Sequence, residues 1–121
     1  MRTLLASIVM ISSQCFGAEL LSCVPSYKYR LHIFTDSIVK ADLPDSSMVK
    51  YTDDFLLHNS LSFKRDPKSS GHTLFTSFPL QVNDSRVVLV SLDKEYTLTT
   101  FTLRPTEVTK TKYECQTVAF Q

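Results

Sequence analysis

The stretch RVVLVSLDKEYTLTTFTL, residues 86–103, decides the fold class. Its first half contains Val87-Val88-Leu89-Val90, apolar on both sides of an extended chain, which predicts a strand deep inside a sheet. In its second half Tyr96 and Leu98 share one face, whereas Phe101 and Leu103 fall on the other. That change of parity predicts one extra residue, a bulge or corner, at Thr99-Thr100. Neither half carries the i, i+3, i+4 spacing of an amphipathic helix.

The same two-residue period extends along the chain. Tyr27, Tyr29, Leu31 and Ile33 alternate with Lys28, Arg30 and His32, so the tyrosine side is expected to face the core. A second reading of Tyr27 and Tyr29 beside Lys28 and Arg30 is a carbohydrate or protein contact. Thr35-Asp36 is a turn before a returning strand over residues 37–43, and residues 44–47 form a turn cluster. Met48–Thr52 reads as a short strand with a turn at Asp53-Asp54, or alternatively as a short helix capped by Asp45 or Ser46. Phe55, Leu57, Leu61 and Phe63 align at spacing two, opposite His58, Ser60 and Ser62, as one half-buried strand. Thr73–Leu80, Arg86–Leu92 and Lys112–Phe120 complete the set. About eight short strands in one domain predict an antiparallel barrel, with a Greek-key sandwich as the alternative.

Thirteen basic and twelve acidic side chains leave a formal charge of +1. This balance gives no concentrated positive field of the kind that binds nucleic acid. Hydrophobic residues at 43% supply a core for a single domain, and the composition is not that of a disordered chain.

Arg2, the apolar run Leu4–Ile11 and the small-residue site around Cys15-Phe16-Gly17 have the three-part layout of a secretory signal peptide. The apolar run is shorter than the roughly 20 residues that span a bilayer. Residues 1–17 are therefore expected to be removed, leaving one β domain over 18–121. Cleavage after Gly17 places small side chains in both peptidase pockets, while cleavage after Ala18 puts Phe16 in one. Loss of Cys15 leaves Cys23 and Cys115, one near each end of an exported chain, and these are expected to form a disulfide that helps close the barrel.

No catalytic motif emerges. His32, His58 and His72 form no spaced ligand pair, and His32 and His58 fall on polar strand faces. Asp53-Asp54 reads as a solvated turn. There is no GxSxG, phosphate loop or calcium pattern, so neither a cofactor, a metal nor an enzyme is expected. Lys64, Arg65 and Lys68, with Ser70, Gly71 and His72, form a basic loop that is the candidate contact with a protein partner in the cell envelope.

Leu92-Asp93-Lys94, Tyr96–Leu103 and Tyr113-Glu114-Cys115 together resemble small exported β-proteins of Gram-negative bacteria that end in a Tyr-x-Cys strand. That resemblance implies a periplasmic or secreted location. In size and layout the chain is also similar to periplasmic lysozyme inhibitors, whose inhibitory loop is rich in Ser and Gly. This similarity implies a contact role for Ser69-Ser70-Gly71-His72, although the repeated Ser-Gly followed by a basic residue and Tyr is missing. The expected function is thus a non-enzymatic exported protein acting by protein or surface contact. A small-ligand carrier using Tyr and Phe inside the barrel, or a lysozyme-inhibitor-like protein, is the alternative.

Overall fold

The computed structural model describes residues 19–40, 43, 46–68, 73–83 and 85–118. Among these residues ten strands follow one another: β1 (Glu19–His32), β2 (Ser37–Lys40), β3 (Ser47–Tyr51), β4 (Phe55–His58), β5 (Leu61–Lys64), β6 (Thr73–Thr76), β7 (Leu80–Gln81), β8 (Val87–Asp93), β9 (Thr97–Leu103) and β10 (Glu107–Thr117). Eight of them form one antiparallel sheet in the order β5-β4-β3-β1-β10-β9-β8-β6, curled into a half-barrel. β2 pairs with the far end of β1, and β7 with the start of β8.

The first and last strands occupy the middle of this sheet. Cys23 lies directly opposite Cys115 in the β1–β10 register, and the two form a disulfide across it. The open seam falls instead in mid-chain, between β5 and β6. It is pinned at one corner by the Arg65–Ser77 bridge, where Asp66 N–H donates to Thr76 O at 2.7 Å and Phe78 N–H to Lys64 O at 2.9 Å. Arg65 strengthens that corner: its side chain donates to Asp53 O and, at 2.8 Å, to Leu74 O, and its guanidinium lies 4.6 Å from the Phe75 ring centre.

The concave side is apolar at its base. Leu21, Cys23, Val49, Leu56, Phe63, Phe75, Leu92, Leu98 and Cys115 pack there, all buried. Strand periodicity accounts for most of this core, with local departures that alter which residues face inward. Residues 55–63 are two strands, not one. Asn59 and Ser60 both take positive φ, 52° and 65°, in a two-residue hairpin turn whose twist suits the flanking strands. The turn sends Leu56 and His58 inward and leaves Phe55 and Leu57 about half exposed, at 48% and 46%. Residues 48–52 are extended, as β3, and Asp53-Asp54 forms the exposed bend.

No bulge occurs at Thr99-Thr100: β9 pairs without interruption on both sides. The inward parity of Leu98 continues through Thr100 and Thr102, and Phe101 faces the convex side opposite Leu89. Lys110 sits over that Phe101 ring. The two-sided apolarity of β8 therefore reflects a small convex cluster. It does not place β8 at the centre, for β8 lies next to the end of the sheet path.

Candidate functional site

A bulge in β1 creates the polar end of the concave face. Cys23 and Pro25 are buried and face inward, opposite Cys115 and Tyr113. Simple alternation would place Tyr27 inward next. The register shifts between Pro25 and Tyr27, with Ser26 as the extra residue, and pairing resumes as Tyr27 with Lys112 and Lys28 with Thr111. Inward and outward are thereby exchanged for the rest of the strand. Tyr27 is 41% exposed on the convex side, where it meets Tyr29 edge-on at 5.2 Å. The expectation that the tyrosines face the core is corrected accordingly. Lys28 and Arg30 share the concave side with Thr111 and Thr109.

These residues join others at the same end of the half-barrel. Lys28, Arg30, Arg86, Thr102, Arg104, Glu107 and Thr109 line a groove of about 430 Å³. Arg86 immediately precedes β8, Arg104 immediately follows β9, and Glu107 begins β10, so the strand ends bring them together. Arg30 Nε lies 3.1 Å from Glu107 Oε2. Among the described lining residues four are cations and one, Glu107, is a carboxylate. A concave wall concentrates such a field more than a flat surface does. Arginine adds a planar fork that matches carboxylate or phosphate oxygens, and the Thr102 and Thr109 hydroxyls add neutral donors.

A second pocket, of about 220 Å³, adjoins this groove through the shared residues Arg86 and Thr102. His58, Asn59, Leu61, Phe63, Val88 and Thr100 complete it, so it grades from the basic mouth to the apolar base. His58 is only 4% exposed, which corrects its expected place on a polar surface. Its Nε2 is 3.0 Å from Ser47 Oγ, and its ring meets Tyr113 edge-on at 5.0 Å. Burial pushes the His58 pKa below its ordinary value and the Tyr113 pKa above its own. Opposite Glu19 at the start of β1, Tyr51 is pushed up to about 12 by burial, Tyr96 and Glu19.

Of the basic-loop residues singled out in the sequence, Ser70, Gly71 and His72 lie outside the described residues. Lys64 and Lys68 are exposed, while Arg65 is engaged at the seam corner as described above. The interior takes only part of the expected aromatic lining: Phe63, Phe75 and Tyr113 are buried in the core, whereas Phe55 and Phe78 are partly exposed and Phe101 is convex. The groove was missed because its cations are spread over residues 28–104 and join only when β1, β8, β9 and β10 pair. A proline within an otherwise regular strand, Pro25, was the available signal for the bulge.

Among the described residues, no helix is long and apolar enough to cross a membrane. No three His, Cys, Asp or Glu side chains among them converge in a metal-binding group. No protein-family model matches the chain, and neither the curated proteins nor the solved structures contain a significant match.

Proposed function

We propose that this chain is an exported, non-enzymatic binding protein, periplasmic or secreted, whose basic concave mouth holds an anionic group of its partner. The apolar leader over residues 4–11 and the Cys23–Cys115 disulfide support export, because such bonds persist in oxidising compartments. One observation carries the binding reading: Lys28, Arg30, Arg86 and Arg104 converge on one groove together with Thr102 and Thr109. The groove is lined by cations and hydroxyls, so its chemistry suits a phosphate or carboxylate better than an apolar small molecule.

Inorganic pyrophosphate is a suitable probe. At low ionic strength, calorimetry is expected to show one saturable site that weakens as salt is added. Arg86→Ser with Arg104→Ser should abolish it. Lys28→Glu, a change at the rim with less effect on packing, should weaken it by about tenfold, the scale of one charge-assisted contact. Absence of saturation, or equal binding by folded variants, would overturn the reading. Intact-mass analysis tests export separately: the exported form should begin at Ala18 and carry no free thiol.

A further inference from the structure

The groove lies beside the most exposed apolar element of the described fold. The β1–β2 turn, residues 33–36, stands at the rim of the sheet: Tyr29–His32 carries β10 on one edge and β2 on the other, and β2 pairs with β1 alone among the described residues. All four β2 residues are exposed. At the tip Phe34 is 81% exposed, and Ile33, Ile38 and Val39 are 44%, 65% and 43% exposed. Ile38 and Val39 are successive residues in a strand, so they point to opposite faces of the ribbon. β2 thus presents one exposed apolar side chain on each of its faces.

The charges have a fixed place relative to this tip. Ile33 N–H donates to Thr106 O at 2.8 Å, tying the tip to the β9–β10 turn that begins at Arg104. Lys28 and Arg30 lie on β1 four to six residues before Phe34, roughly 13–20 Å behind it along an extended chain. Lys40 stands at the returning end, opposite Tyr29. A rim that exposes four apolar side chains beside Thr35 and Asp36, with lysine and arginine set back behind it, matches the layering of a bilayer interface. There the apolar group enters the acyl boundary and cations meet lipid phosphates.

We infer that this hairpin inserts into an anionic membrane surface while the basic mouth engages the phosphates of its headgroups. The inference rests on the anion-binding reading above and specifies its partner as an acidic phospholipid surface. Contact is peripheral: the tip carries four exposed apolar side chains, enough for reversible attachment and far fewer than a spanning segment needs.

Flotation with phospholipid vesicles tests it, using protein recovered after export and with its N-terminus verified, so that the apolar leader is not the anchor. Mixed phosphatidylglycerol–phosphatidylcholine vesicles should carry the protein, and pure phosphatidylcholine vesicles should not. Phe34→Asp should reduce partitioning by about tenfold or more through loss of apolar insertion, leaving pyrophosphate binding unchanged. Lys28→Glu should reduce both kinds of binding. The chain has no tryptophan, so Phe34→Trp introduces a single indole whose emission should shift to the blue on acidic vesicles.

Pyrophosphate binding without any flotation would overturn the membrane inference and leave the anion reading intact. Loss of both would remove both. Unchanged flotation by Phe34→Asp would overturn the insertion of this hairpin. A concentration-dependent dimer abolished by Phe34→Asp, with no vesicle binding, would assign the hairpin to self-association and overturn the proposal.

Discussion

At the scale of the residue, burial determines what His58 can do. A charged imidazole at 4% exposure loses its water, and its described polar contact is the uncharged Ser47 hydroxyl at 3.0 Å. The folded protein therefore binds the His58 proton less tightly than the unfolded chain, in which the pKa is near 6.5. The unfolded state takes up more protons as pH falls below about 6.5, so stability is complete above that value and declines towards the lower folded value. We expect the urea midpoint to fall between pH 7 and pH 5. His58→Gln should flatten that part of the curve while keeping a hydrogen-bonding group beside Ser47. An identical pH slope in the variant would show that other groups carry the dependence. Sequence periodicity misplaced this side chain because residues 55–63 show almost continuous alternation. The two-residue turn that reverses the chain has Asn-Ser, not the more familiar Asn-Gly.

That turn makes its own prediction at the scale of the element. Ser60 holds φ at 65° without being glycine, a conformation that costs a side-chain-bearing residue about 1–2 kcal/mol. Ser60→Gly should relieve part of this, against the greater freedom of an unfolded glycine, and stabilise the β4–β5 hairpin by about 0.5–1 kcal/mol. Chemical denaturation checks this, and a lower midpoint would mean that Ser60 contributes a contact that outweighs its backbone strain. The β1 bulge belongs to the same scale. Apolar alternation marked residues 27–33 as extended, and β1 does run through His32. It could not follow the face across Ser26, because one unpaired residue exchanges the two sides without changing the local pattern. Tyr27 and Tyr29 look like core residues in sequence, yet the pairing with β10 turns Lys28 and Arg30 towards the groove. The strands were legible because alternation is local. The basic mouth was not, because it depends on register among strands distant in sequence.

At the scale of the whole molecule, the disulfide and the seam divide the task of closing a curled sheet. β1 and β10 hold the middle, so the two halves of the chain, β3–β5 and β6–β9, flank the paired terminal strands, pack together across the core and are bridged by backbone hydrogen bonds at the Arg65–Ser77 corner. The Cys23–Cys115 link joins positions 92 residues apart and so constrains nearly the whole unfolded chain. In the chain-entropy account, a loop of that size contributes about 4–5 kcal/mol, an upper figure because unfolded chains retain some compactness. Small domains have total stabilities of about 5–15 kcal/mol, so this one bond is a large fraction of the total. Replacing both cysteines by alanine should therefore lower the unfolding free energy by several kcal/mol, and reduction of the native protein should have a similar effect. The loss should appear as a lower urea midpoint with the same final unfolded signal. A change below about 1 kcal/mol would mean that the β1–β10 ladder holds the middle of the sheet without its covalent link.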